Sequence, residues 1–143
     1  MREIGWIEGQ NLLIDYRYGT PDRLPLLAQE LVQRKVELIV TEGTTATLAA
    51  KKATRVTPIV IWSAGDPVRS GLVASLAKPG GNVTGLSIVS PELDAKRLSL
   101  LRDFLPGTRY VGEIENSENV YFRAARSGLE ETYRSLGMRP IFV

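Results

Sequence analysis

Two short apolar runs, VELIV at 36–40 and PIVIW at 58–62, set the narrowest limits on what this chain can fold into. Each is too short for a buried helix and rich in β-branched residues, the pattern of a strand covered on both faces. Between them, Thr41-Glu42-Gly43-Thr44-Thr45 turns the chain into a small-residue helix at 46–53. Strands joined through a helix return in the same direction. The two runs therefore belong side by side in a parallel sheet with a right-handed crossover.

The alternation extends both ways. NLLIDYRY at 11–18 reads as a strand, ended by Gly19-Thr20-Pro21-Asp22. Asp22 is placed to cap a helix that carries Leu24, Leu27, Ala28, Leu31 and Val32 at helical spacing. Residues 68–77 read as a helix broken by Lys78-Pro79-Gly80-Gly81, and 83–89 as a weaker strand. Ser90 at the cap, Pro91 at the first helical position and Glu92 in the first turn open a helix that stops at Pro106-Gly107. A strand at 109–114, a helix at 121–136 and a strand at 139–143 complete the order. The fold class is α/β, with doubly wound parallel sheets.

Composition narrows the chemistry. The 143 residues suffice for about one domain. Eighteen basic against 16 acidic residues, scattered rather than striped, give a formal charge of +2 and point to no nucleic-acid partner. With no cysteine, disulfides, thiolate metal sites and thiol catalysis are excluded. The absence of histidine removes the commonest general base and metal ligand. No apolar run approaches the roughly 18 residues of a membrane span. The opening residues 1–6 lack the apolar core of a signal peptide. Neither G-x-G-x-x-G nor G-x-x-x-x-G-K-[ST] occurs, so no nucleotide cofactor is expected. Glu113, Glu115 and Glu118 read as a solvated acidic loop rather than a metal site, Trp6 and Trp62 as core or cleft-wall residues, and Asn82-Val83-Thr84 as a chance glycosylation triplet.

Ligands of open parallel sheets bind beyond the carboxyl ends of the strands. Three loops there carry polar groups. Thr44 and Thr45 stand at a helix start, where they either receive an anionic group or simply cap the helix. Ser63-Ala64-Gly65-Asp66-Pro67 offers Asp66 to an ammonium or hydroxyl, unless that residue only shapes a turn. Asn116 and Asn119 sit in Glu115-Asn116-Ser117-Glu118-Asn119, on the opposite side.

Gly5-Trp6-Ile7-Glu8-Gly9-Gln10-Asn11, Asp22-Arg23-Leu24-Pro25, Glu42-Gly43-Thr44-Thr45-Ala46, Gly65-Asp66-Pro67-Val68 and Gly71-Leu72-Val73-Ala74-Ser75-Leu76-Ala77 stand in one order along the chain. With Lys78-Pro79-Gly80-Gly81-Asn82-Val83-Thr84-Gly85-Leu86, Pro91-Glu92-Leu93 and Lys96-Arg97 they cover most of 3–115. In these motifs the chain resembles the uncharacterised ABC-transporter substrate-binding proteins related to tryptophan and tyrosine importers. The resemblance implies a type 1 periplasmic-binding-protein fold, two α/β lobes about a hinge, and a non-enzymatic protein that carries a small solute to an ABC permease. It implies a place outside the cytoplasmic membrane, in the periplasm or as a cell-surface lipoprotein. It carries Thr44, Thr45, Ala64 and Asp66 onto one wall of the cleft and Asn116 and Asn119 onto the other. The family's Asn-Pro-type loop is here more acidic and lacks prolines.

Family members begin before, and continue beyond, the segments matched here. The chain thus reads as a fragment, with a partial first lobe at 1–87, the opening strand-helix-strand of the second at 91–143, and a hinge near 87–91. By the family's strand order a first strand is absent and an unpaired edge stands at 36–40, so either the two partial sheets merge or two chains pair or exchange strands, a homodimer being the expectation. Donors at Thr44 and Thr45, an acceptor at Asp66 and an aromatic at Trp62 suit an amino acid, an aromatic one by resemblance. An effector-sensing module of a transcriptional regulator shares the fold and is the alternative. An enzyme on a flavodoxin-like sheet is disfavoured by the missing histidine, cysteine and phosphate loops.

Overall fold

The computed structural model describes residues 2–88 and 91–143. A single 3-10 turn, Arg2–Ile4, precedes α1 (Leu24–Gln33), β1 (Ile39–Glu42), α2 (Thr44–Ala53), β2 (Ile59–Ala64) and β3 (Val83–Ser87). Then follow α3 (Pro91–Phe104), β4 (Tyr110–Glu113), α4 (Val120–Ser135) and β5 (Arg139–Phe142). The strands form two parallel sheets, one in the order β1-β2-β3 and one pairing β4 with β5. This is the expected α/β class.

Strand β2 is central. Ile59 is fully buried and lies with Ile39, Ile61 and Val83 under α1, α2 and the loop after β2. The opposite face of the same sheet is open. Register puts Val40, Val60 and Thr84 in one row there, with Trp62 and Leu86 further along. Val40 is 58% and Trp62 69% exposed, and Trp6 is exposed as well. The 36–40 run is therefore not covered on both faces, and neither tryptophan is a core residue. The described helices back only one side of this sheet, and β1 stands at its edge.

Two expected elements do not form. Residues 11–18 pair with no strand among the described residues beyond an isolated bridge between Glu8 and Leu12. Strand composition needs a neighbouring strand to satisfy its backbone, and this segment docks on α1 instead. Arg17 pairs with Asp15 and with Glu30 at 3.2 Å, and Arg34 reaches Asp15 at 2.5 Å. Asp22 does not cap α1, whose cap position is Arg23. Its carboxyl is held below the usual range by the Thr20 hydroxyl, within the preceding turn.

Residues 68–77 form turns rather than a helix. The Leu72 N–H donates to the Pro67 carbonyl at 2.8 Å and the Gly71 N–H to that of Val68 at 3.0 Å. Gly71 then takes a φ of 70°, a left-handed conformation that ends the turn. Leu72 and Val73 are driven into the core, and the Lys51 ammonium donates to the carbonyls of Gly71 at 2.6 Å and Leu72 at 2.9 Å. Apolar periodicity was satisfied by burying a loop.

The second sheet is smaller. Leu98, Tyr133 and Met138 are its buried core, and the Tyr133 hydroxyl donates to Glu113 at 3.0 Å. The expected cap at Ser90 and part of the expected hinge at 87–91 lie outside the described residues.

The Lys78-to-Leu86 motif acquires a physical reason here. The Asn82 amide donates to the carbonyls of Thr57 at 2.7 Å and Thr54 at 3.3 Å, and the Asn82 carbonyl receives the Ile59 N–H at 2.7 Å. Gly85, at φ 136°, presses on β2 so closely that a Cβ would lie 2.3 Å from the Ile61 carbonyl oxygen. A glycine inside a strand marks such a close backbone approach. Gly85→Ala is expected to lower stability by more than about 1 kcal/mol. Gly107→Ala, where a Cβ meets nothing within 4 Å, should stay within about 0.5 kcal/mol. Urea denaturation of the two variants checks this, and equal effects would refute the packing argument.

Candidate functional site

Every loop at the carboxyl end of the larger sheet fastens to residues 63–65. Gly43, at φ 85°, donates its N–H to the Ser63 carbonyl at 2.7 Å. The Gly65 N–H donates to the Thr44 hydroxyl at 3.3 Å, and the Ile88 N–H to the Ala64 carbonyl at 3.1 Å. Thr47 donates to the Gly43 carbonyl at 2.8 Å and shares a 2.9 Å hydrogen bond with Thr41. Three buried threonines thereby fix the path from β1 into α2.

Helix α2 begins at Thr44 after Gly43, with no side-chain cap. Neither threonine caps it, because the Thr44 hydroxyl, 1% exposed, is turned to Gly65. Thr45 is half-buried at the same helix start. The first turn of α2 thus presents its amides at the positive end of the helix dipole, without a competing side-chain acceptor.

Asp66 is half-buried and shapes its own turn. One carboxylate oxygen, Oδ1, accepts from the N–H groups of Val68 at 3.0 Å and Arg69 at 2.9 Å. Asn119 caps α4, its Oδ1 accepting from the Tyr121 N–H at 3.0 Å, and Asn116 accepts likewise from Glu118 at 3.0 Å. Ala64 is buried and contributes its backbone. Of the acidic cluster, Glu113 receives the Tyr133 hydroxyl, and Glu115 pairs with Arg126 at 2.7 Å. The Arg126 guanidinium also sits 4.3 Å from the Phe142 ring centre.

The residue that sequence reasoning missed is Tyr121. It is 7% exposed, and its ring lies against Gly65, where a Cβ would fall 2.2 Å from ring atom Cδ2. Its hydroxyl donates to Asp94 at 3.3 Å. Burial pushes the phenol up to about 12, with the Asp94 and Asp66 carboxylates adding to the shift and Arg69 opposing it. Tyr121, two residues after Asn119, joins the start of α4 to Gly65. Thr44 bonds Gly65, Ala64 and Asp66 flank it, and Asn119 is linked to it through Tyr121, whereas Trp62 projects from the open sheet face. The sequence marked only a turn at Asp66-Pro67 here, and nothing in it named the ring that packs on Gly65.

The sequence matches the model of a family described as ABC transporter substrate binding protein over residues 1–138. It is 36% identical over 123 residues to a tyrosine-binding protein of Clostridioides difficile (strain R20291), covering 84% of this chain and 35% of that relative. The structure resembles a conserved domain protein from Vibrio cholerae, with TM-score 0.89 and 29% identity. It also resembles the ABC domain from Streptococcus pneumonia in complex with L-Trp, with TM-score 0.85 and 24% identity. Against the ligand-free, open structure of a substrate binding protein with adhesive properties from Clostridium difficile, the TM-score is 0.66 at 31% identity. In each case 99% of this chain aligns with 48% of the solved one, so the chain spans about half the length of these solved proteins and a smaller share of the tyrosine-binding relative. With that match along nearly all its length and the parallel-sheet architecture to go with it, the chain belongs to the ABC transporter substrate binding protein family.

Proposed function

We propose that this chain contributes to the extracytoplasmic solute-binding component of a bacterial ABC importer, which takes an aromatic amino acid and hands it to a membrane permease without catalysis. The carrying observation is the gathering of Thr44, Ala64, Asp66 and Asn119 about Gly65 by the Tyr121 contact. Residues 1–87 and 91–143 are read as portions of two lobes. The uncapped first turn of α2, with Thr45, suits a carboxylate, and the second oxygen of Asp66 suits an ammonium. Asn116 and Asn119 form the facing wall. The tyrosine-binding relative and the L-Trp-bound structure support the aromatic class. No helix among the described residues is long and apolar enough to cross a membrane.

Isothermal calorimetry against the twenty amino acids tests the reading. Heat with L-tyrosine or L-tryptophan is expected, and binding of a sugar or nucleoside with no amino-acid response would overturn it. Asp66→Asn keeps a carbonyl for the Val68 and Arg69 amides but loses the charge. It is expected to weaken binding by roughly 10- to 100-fold with little change in melting temperature.

The open sheet faces support a second element of the proposal, that the chain pairs with a copy of itself. Val40, Trp62 and Leu86 on one sheet and Tyr110 and Ile141 on the other are all exposed. Sedimentation at micromolar concentration is expected to give a dimer, and Trp62→Glu a shift toward monomer. A compact monomer for the parent chain would count against pairing.

A further inference from the structure

Tyr121 makes a contact that the proposed binding chemistry does not require. It stands in the first turn of α4, beside the two-stranded sheet, yet its ring is packed on the backbone of Gly65 at the end of the three-stranded one. Its hydroxyl reaches Asp94 on α3, a carboxylate whose other oxygen receives Arg97 at 2.9 Å. One side chain thus touches three elements: the loop after β2, α3 and α4. A second contact lies beside it, where a Cβ at Gly128 of α4 would meet the Arg69 guanidinium at 3.6 Å.

The fit is steric and reciprocal. Gly65 is not in a left-handed conformation, so no backbone torsion demands glycine there. What demands it is the ring, since Cδ2, Cγ and Cε2 of Tyr121 would all lie within 2.9 Å of an added Cβ. Real Cβ atoms do not approach carbon so closely, and packed interiors transmit such a misfit as displacement. A flat ring laid on a bare peptide is therefore a spacer of fixed thickness between the two sheets.

We propose that Tyr121 is a strut between the two sheet units, a positioning residue that sets how far apart their carboxyl ends stand when the units are together. Where the strut governs the width of a solute cleft, the proposal rests on the functional reading above; the spacing itself does not.

The chain has no cysteine, so two introduced ones can be spin-labelled uniquely. Lys52→Cys on α2 and Arg134→Cys on α4 are exposed sites on either side of the seam. Pulsed electron spin resonance on the full chain, without solute and diluted in an excess of unlabelled chain so that distances between copies do not contribute, is expected to give one narrow distance distribution. Tyr121→Ala should broaden and shift it. Tyr121→Phe, which keeps the ring and leaves Asp94 its Arg97 partner, should overlay the parent. Gly65→Ala should displace the distribution in the presence of Tyr121 and add nothing once Tyr121 is alanine. That non-additivity is the signature of a spacer, because general loss of packing would make the two changes accumulate.

Circular dichroism follows folding in every variant. Should Tyr121→Ala unfold, the decision passes to Gly65→Ala and Tyr121→Phe, and the strut then requires the first displaced and the second unchanged. A Gly65→Ala or Tyr121→Ala distribution that overlays the parent would overturn it. Since no solute is present, failure to bind amino acids leaves the strut standing, and loss of the strut leaves the solute reading standing.

Discussion

The carboxyl end of β2 is the constraint on which the rest depends. Its amino half is a core strand, with Ile59 and Ile61 under the helices. Its last residues serve a different purpose, because register shifts on both flanks, at Thr41/Glu42 and between Ile61 and Ala64, break the regular ladder. Such irregularities re-aim backbone groups at strand ends. Here they free the Ser63 carbonyl for Gly43, the Ala64 carbonyl for Ile88, the Gly65 amide for Thr44 and the Gly65 surface for Tyr121. Three segments distant in sequence, at 43–44, 88 and 121, are held to one three-residue stretch.

That convergence explains why the polar residues of the site are so fully occupied. Thr44, Asp66, Asn116 and Asn119 each accept a backbone N–H at about 3 Å. They build the loops before they can touch a solute. A site whose loops are already satisfied loses less conformational freedom on binding, which favours affinity. The turn around Asp66 uses Oδ1, and the proposed contact with a solute would use the other oxygen, so the two readings are compatible. On the proposed reading, strand order, helix dipoles and caps would supply the chemistry in a chain without histidine or cysteine.

Much of this was legible beforehand. The runs at 36–40 and 58–62 fixed parallel pairing, and Pro91, Pro106 and Gly107 bounded α3 to within a residue or two. The rule placing ligands at strand carboxyl ends selected the loops that converge on β2. The failures share a cause, which is that periodicity reports burial and not conformation. Residues 68–77 read as a helix, but the chain turns at Gly71 and buries only Leu72 and Val73, leaving Val68 exposed. Residues 11–18 had strand composition and no partner strand. The sequence marks 83–89 only as a weaker strand and 121–136 only as a helix, without the contacts of Gly85 on Ile61 and of Tyr121 on Gly65. Both depend on what lies across the fold, which composition does not encode.

The central claim is that a solute is received at the carboxyl ends of the parallel strands, around the end of β2, rather than on the open apolar face. Backbone amide NMR during titration with L-tyrosine and L-tryptophan tests it residue by residue. The account predicts saturable shifts concentrated at Thr44, Thr45, Gly65, Asp66, Asn116 and Asn119, with the amides of Val40, Trp62 and Leu86 unmoved. Saturable shifts confined to Val40, Trp62 and Leu86, or none at the six loop positions, would contradict it.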